Sequence, residues 1–304
     1  MTRHLLDLAD LGPDTLIQVL DTADRLKAER GRHEQPLRGK QIALLFEKAS
    51  TRTRLSLEIA VSELGGHPIV LTSQGSQLGR GEPMKDTARV LTRMVHGITL
   101  RTHAEERIRE LVAHVDVPVL NALTDESHPM QLLADLQTVR EHFGKLSGLG
   151  YAWIGDGNNM AHSWIEAAGL LGLRLRLACP AGYLPKPHWI EQAKARGADV
   201  ELVDSAAEAV RGAHVLSTDV FTSMGQEAET AERLRVFAGY GLDERLLAQA
   251  EANAVVLHCL PAHRGEEISE GVLEGKHSLV WPQAENRLHT AKAALLWAFD
   301  QLPR

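Results

Sequence analysis

Along this chain, short runs rich in branched and aromatic residues alternate with stretches that carry helical spacing, and that alternation leaves few folds open. The runs are QIALLF, GGHPIVL, GITLRT and VPVLNAL in the first half, then YAWIGD, LRLRLACP, ADVELVD, AHVLSTDV, AVVLHCLP and HSLVW in the second. Strands separated by helices of about ten or more residues build βαβ units and parallel sheets. At 304 residues the chain is large for one core, so two domains of ~150 residues each are expected. The fold class expected is therefore α/β, with two doubly wound parallel-sheet domains joined by interdomain helices. The segment HPMQLLADLQTVREHFG, opened by Pro129 and closed by Gly144, supplies one connecting helix. AENRLHTAKAALLWAFDQL supplies a second that returns to the first domain. The expected boundaries are 1–130 for the first domain, 131–147 for the interdomain helix, 148–283 for the second domain and 284–304 for the returning helix.

Composition narrows the classes of function. Hydrophobic residues at 44% and charged residues at 24% suit a globular chain rather than a disordered one. A formal net charge of -7 argues against a broad nucleic-acid footprint and leaves room for a local basic pocket. Cys179 and Cys259 are the only cysteines, which is no disulfide framework, so a reducing, cytoplasmic setting is expected. Asp7, Asp10, Asp14, Asp21 and Asp24 interrupt the N-terminal apolar runs, which reads as neither signal nor transit peptide. No run approaches the roughly 18 apolar residues of a membrane span.

In open α/β sheets ligands collect beyond the carboxyl ends of the strands, and the chemically suggestive residues fall there. Ser50 to Arg54 follow QIALLF, Arg101 ends ITL, His128 follows VLNALTDES, Asp156 to Asn159 follow YAWIG, Asp219 ends HVLST and Cys259 ends VVLH. Placement this consistent marks an active site.

In STRTR, hydroxyls and guanidiniums sit where a strand hands over to a helix. Free N–H groups and the positive helix end favour an anion there, while a capped helix with a solvated basic turn is the plainer alternative. Arg52 and Arg54 lie about 200° apart around a helix, so one ligand cannot take both. Arg54 precedes Glu58 by four residues and suits a surface pair, which leaves Arg52 with Ser50, Thr51 and Thr53 for the anion. His128, just before Pro129, is expected to be neutral because a positive helix end disfavours imidazolium, and able to donate to a carbonyl oxygen. Gln131 offers an amide one turn on. GDGNN lacks the third glycine and the later acid of a dinucleotide loop; Asn158 and Asn159 instead suit a carboxylate or amine, with a tight turn as the competing reading. STDVFTSMGQE reads as a lid or a solvated loop after Asp219. His258, Cys259 and His263 have no second cluster to complete a structural zinc site, so no metal is expected. Cys259 itself is either an inert core thiol or, beside Asp219, a group that orients an amine.

STRTR, HPMQ, GDGNN, DVFTSMGQE, HCLPAHRGEE and AENR, in this order over nearly the whole chain, resemble the aspartate/ornithine carbamoyltransferase family. STRTR and HPMQ are shared by its aspartate and ornithine branches, whereas the SMG loop and HCLP point to the ornithine branch. The resemblance implies an enzyme that carries the carbamoyl group of carbamoyl phosphate to the side-chain amine of L-ornithine, giving citrulline and phosphate without a cofactor. It implies that Ser50, Thr51, Arg52, Thr53, Arg101, His128 and Gln131 hold carbamoyl phosphate, with Cys259, Leu260 and Arg287 lining the reaction centre. It implies that Asn159, Asp219, Ser223 and Met224 bind ornithine, and that Arg101, His128, Asp219 and Cys259 serve the chemistry. Phe221 stands where members often carry Trp, and PQAENR replaces a commoner acidic pair. TSQGSQLGRGEP is by composition a surface loop, but the resemblance implies a homotrimer in which Gln77 reaches a neighbouring subunit's carbamoyl phosphate. Acetylornithine or putrescine as the amine, and a non-catalytic binding protein on the same fold, are the alternatives.

Overall fold

The structure is a computed structural model that describes residues 2–75, 81–223 and 227–303. It divides into two units, Met1–Gln137 with Glu285–Arg304, and Thr138–Ala284.

The first unit holds a five-stranded parallel sheet, β1 (His4–Leu5), β2 (Gln41–Phe46), β3 (His67–Thr72), β4 (Gly97–Arg101) and β5 (Val119–Leu123), in the order β1-β5-β4-β2-β3. Its helices are α1 (Gly12–Ala28), α2 (Thr51–Glu63), α3 (Met84–Leu91) and α4 (Glu105–Val112). Ala43, Leu45, Ile98, Leu100 and Val119 of the sheet pack on Met84, Ala88, Ile108 and Leu111 of α3 and α4. A parallel sheet covered on both faces needs near-continuous apolar strands, which QIALLF supplies. The chain steps outward from β2 to β3, then crosses to the other side of β2 for β4, so the direction of winding reverses between β2 and β4. The crevice at such a reversal is where open sheets take ligands, and it lies between the ends that carry Ser50 and Arg101. The β4–β5 register also slips by one residue, with Leu100 opposite Asn121 but Arg101 opposite Leu123, an irregularity of the kind that re-aims a side chain at a sheet end.

The second unit repeats the plan with β6 (Gly150–Ile154), β7 (Arg174–Ala178), β8 (Asp199–Val203), β9 (Val215–Thr218) and β10 (Val255–His258), all parallel, in the order β10-β9-β6-β7-β8. Helices α6 (Asn159–Leu171), α7 (Pro187–Ala195), α8 (Ala206–Val210), α9 (Thr230–Val236), α10 (Glu244–Leu247) and α11 (Glu270–Leu273) complete it. Winding reverses between β6 and β9, the strands that end at GDGNN and at Asp219.

Two long helices each span a unit boundary, α5 (Pro129–Phe143) and α12 (Val280–Ala298). The α/β class and the parallel doubly wound sheets agree with the sequence pattern. HSLVW does not: Ser278 makes one isolated bridge to Val256, and Val280 already starts α12. Pro282 falls in the first turn of α12, where its missing N–H costs nothing, so the helix starts four residues before the expected Ala284. The two-residue β1 was not legible, since a strand that short has no alternation to read. Among the described residues no helix is long and apolar enough to cross a membrane.

The later turns of α12 are anchored in the first unit by charges below the surface. Lys292, fully buried, donates to Glu63 of α2 at 2.8 Å and lies 3.3 Å from His33 Nε2, and Lys27 of α1 donates to Asn286 at 2.8 Å. His289 is also fully buried, 3.5 Å from Glu285. Burial pushes its imidazole down to about 4, the Lys292 charge adding and Glu285 opposing. Between pH of about 6.5 and 4 the unfolded chain therefore binds a proton that the folded chain refuses, and stability falls as the pH drops through that window, by up to about 3 kcal/mol. His289→Leu should flatten this part of the pH–stability curve, measured by urea unfolding at pH 7 and pH 5. An equal acid loss in parent and variant would remove His289 as its source.

Candidate active site

Ser50 has extended backbone (φ -161°, ψ 121°), and its Oγ accepts from the Thr53 N–H at 3.2 Å, so it is the N-cap of α2. Arg54 donates to Glu58 at 2.7 Å in an exposed pair one turn along, as its spacing predicts. Arg52, half-buried, has no carboxylate partner among the described residues. A cavity of about 430 Å³ at the start of α2 is lined by Phe46, Ser50, Thr51 and Thr72 together with the Arg54–Glu58 pair, and not by Arg52.

The polar cluster of the first unit is organised by Arg287 of α12. Its guanidinium donates to Thr53 Oγ1 at 3.1 Å, to His128 Nε2 at 3.2 Å and, in a very short contact, to Gln131 Oε1. A guanidinium only donates, so Nε2 of His128 accepts and the ring proton lies on Nδ1. Gln131 in turn donates its amide to Asp135 at 2.8 Å, which settles which end is oxygen. All four side chains are buried. His128 is held well below the usual imidazole range, first by burial and then by the charges of Arg287 and Arg101. The neutral state expected from the helix end is therefore present, but its main causes are desolvation and two neighbouring cations. Buried cations around a neutral donor, at the positive end of α5, form a site that attracts an oxyanion.

The polar cluster of the second unit centres on Asp219, 8% exposed just after β9. Its Oδ1 accepts from Cys259 Sγ at 2.9 Å and from the Val220 N–H at 2.8 Å; its Oδ2 accepts from Asn158 Nδ2 at 3.2 Å. Asn158 is at the same time the N-cap of α6, its Oδ1 accepting from Met160 and Ala161. It thus ties the helix start to the Asp219 carboxylate. Asn159 opens α6, and Ser223 lies on the segment that follows Asp219. The expectations for Gln77 and Met224 fall outside the described residues. At Gly157 the GDGNN loop packs closely: a Cβ there would sit 2.1 Å from Pro185 N and 2.4 Å from Leu184 C, so only glycine lets these backbones meet.

Arg233 of α9 carried no signal in the sequence. Its buried guanidinium pairs with Asp156 at 2.7 Å, donates to the Phe221 carbonyl at 2.9 Å and lies 4.7 Å over the Tyr183 ring. Phe221 stacks on Phe237 with centroids 4.7 Å apart. Burial raises the Asp156 carboxyl while Arg233 opposes the rise. The beginning of the SMG segment is thereby fastened to the loop after β6. Asp219, His258 and Cys259 bring three potential metal-ligand atoms within 4.8 Å of one another. Both ring nitrogens of His258 are engaged, however: Nδ1 accepts from Leu260 N–H at 2.8 Å and Nε2 lies 3.1 Å from Glu267. A metal could take the ring only by breaking one of these bonds. Cys179, the other thiol, is buried beyond β7, and burial raises its pKa.

A family model described as "Aspartate/ornithine carbamoyltransferase, carbamoyl-P binding domain" matches residues 3–141, and one described as "Aspartate/ornithine carbamoyltransferase, Asp/Orn binding domain" matches residues 147–298. The chain belongs to the aspartate/ornithine carbamoyltransferase family. It is 54% identical to the ornithine carbamoyltransferase of Acidothermus cellulolyticus, covering 99% of this chain and 97% of the relative, and 50% identical to that of Rhizorhabdus wittichii, covering 99% and 100%. Among solved structures it resembles ornithine carbamoyltransferase from Thermus thermophilus (TM-score 0.90, 45% identity, 98% and 99% of the two chains). It also resembles the enzyme from Pyrococcus furiosus (TM-score 0.92, 41% identity, 97% and 96%). Within this family frame the Arg287–His128 contact makes a measurable claim. Arg287→Met removes one of the two charges that depress the ring, so the His128 titration, followed by NMR, should move up toward ordinary histidine. An unmoved titration would place the guanidinium away from the ring.

Proposed function

We propose that the protein is an ornithine carbamoyltransferase, transferring the carbamoyl group of carbamoyl phosphate to the side-chain amine of L-ornithine to give L-citrulline and phosphate. The observation that carries this reading is that, in a chain of this family, each unit holds its own cluster at its sheet reversal and the two clusters have opposite chemistry. One cluster is cationic with Arg52 left unpaired among the described residues; the other is built on a buried carboxylate, Asp219. A cationic cluster suits phosphate and a developing oxyanion; a carboxylate suits an amino acid that carries a second amine. Aspartate in that second place would bring another carboxylate against Asp219, and like charges disfavour it.

In the proposed reaction the neutral amine nitrogen attacks the carbamoyl carbon, the carbonyl oxygen takes up charge, and the C–O bond to phosphate breaks with its electron pair leaving on phosphate. The carbonyl re-forms as that bond breaks, and the nitrogen passes its extra proton to the departing phosphate. Ser50, Thr51, Arg52 and Thr53 hold the phosphate, and Arg101, Arg287 and the Nδ1–H of His128 face the charge that develops on oxygen, with Gln131 on the carbamoyl amide. Preorganised donors of this kind usually supply the largest part of the acceleration. Asn159, Asp219, Ser223 and Met224 hold ornithine, Leu260 faces the carbamoyl group, and Cys259 with Asp219 favours the deprotonated amine. No cofactor enters these steps. On this reading residues 1–130 bind carbamoyl phosphate, 131–147 connect, 148–283 bind ornithine and 284–304 return to the first domain. The place of work is the cytoplasm, and citrulline feeds arginine synthesis. Purified protein supplied with carbamoyl phosphate and, in parallel, ornithine, acetylornithine, putrescine or aspartate should carbamoylate ornithine by far the fastest. Preference for another amine would sink the assignment.

We infer further that the working form is a homotrimer in which Gln77 serves the carbamoyl phosphate of a neighbouring copy, as heterologous contacts that close at three copies allow. Arg52→Ala and Gln77→Ala, each nearly inactive alone, should regain activity when unfolded together and refolded, because mixed trimers contain some intact sites. Mixed trimers without activity would mean that Gln77 serves its own subunit or none.

A further inference from the structure

The HCLP segment after β10 is wound around a buried pair that the reaction scheme does not use. His258 and Glu267 are 2% and 0% exposed. The Leu260 N–H donates to His258 Nδ1 at 2.8 Å. A backbone N–H can only donate, so Nδ1 carries no proton; the ring is neutral, and its proton lies on Nε2, facing Glu267 Oε1 at 3.1 Å. The same Oε1 accepts the His263 N–H at 2.6 Å, and the N–H of His258 donates to Gln283 Oε1 at 2.9 Å. One carboxylate oxygen therefore holds the segment near both ends, directly at His263 and through the imidazole at Leu260. Between His258 and His263, Leu260 adopts φ 57°, the left-handed region that favours glycine, and Cys259 directs its thiol to Asp219 at 2.9 Å. Among the described residues the second oxygen of Glu267 is buried without a hydrogen-bond partner. A carboxylate in that position is a poor source of stability, since an apolar side chain fills such space with less desolvation. What it supplies is direction.

We propose that Glu267 and His258 are positioning residues for carbamoyl transfer: the dyad locks Leu260 in its left-handed conformation and so aims the Leu260 carbonyl and the Cys259 thiol. This rests on the proposed function, which puts Cys259 and Leu260 at the reacting group. Glu267→Ala and His258→Ala should each lower kcat ten- to a hundredfold, and the double variant should fall no further than the worse single one, as for residues that act as a unit. Affinity for inorganic phosphate, bound by the first unit's cluster, should stay within twofold. Glu267→Gln should recover most of kcat, because its amide oxygen still accepts from both donors. In a Cys179→Ala background, where Cys259 is the only thiol, the pH midpoint of iodoacetamide alkylation should shift in Glu267→Ala and return in Glu267→Gln. If Glu267→Ala does not fold, His258→Gln carries the same comparison. Parental kcat with an unmoved alkylation midpoint overturns the proposal, and so does a joint loss of phosphate affinity and kcat, which would mark the dyad as general scaffolding. A parent that makes no citrulline would defeat the functional reading alone, since the alkylation profile still decides whether the dyad aims Cys259.

Discussion

The first unit's site depends on one guanidinium from the end of the chain. Arg287 reaches Thr53, His128 and Gln131, partners 234, 159 and 156 residues away in sequence. Contacts so distant are costly to close in chain entropy, and they persist here because α12 is held at a second point by Lys292 on Glu63 of α2. Helices α2 and α12 are thus fastened twice, by Arg287 to Thr53 and by Lys292 to Glu63. A buried cation left without acceptors costs several kcal/mol, so Thr53, Gln131 and a neutral His128 are as much required by Arg287 as it is by them.

The second unit uses a different device for the same end. Its focus is an acidic oxygen pair rather than a cation, and Asp219 is satisfied by a thiol, a backbone amide and a helix cap. The cap joins local folding to the chemistry: Asn158 must be in place for α6 to start, and when it is, its remaining N–H groups are aimed at Asp219. Arg233 and Glu267 add outer anchors, one for the segment after β9 and one for the turn after β10.

Much of this was legible in the residues alone, for reasons that differ from element to element. Buried parallel strands show up as apolar runs, and QIALLF or YAWIG needs no partner to be recognised. Arg54 could be set aside because helical spacing alone pairs it with Glu58. HSLVW misled because an apolar tetrapeptide looks the same at the start of a buried helix as in a strand, and only Pro282 hinted at the difference. Arg233 and Glu267 stayed hidden for another reason. Nothing in an isolated Arg or Glu says that it is buried, and their partners come from loops whose approach is decided by the tertiary fold. The neutral His128 was expected from the helix end, whereas its causes are burial and the charges of Arg287 and Arg101, and Arg287 comes from a helix more than 150 residues away.

The split of the chain into units also orders events during synthesis. Residues 138–284 form one unbroken segment, whereas the first unit needs residues 1–137 together with 285–304. A growing chain normally folds domain by domain from its N-terminus, yet here the earlier-made sheet must wait for the later one to be produced before its last helix exists. Until Arg287 has emerged, the cluster lacks its central cation, and Thr53 and Gln131 lack their donor. Assembly of this cluster is thus delayed until the second unit and residue 287 have been made.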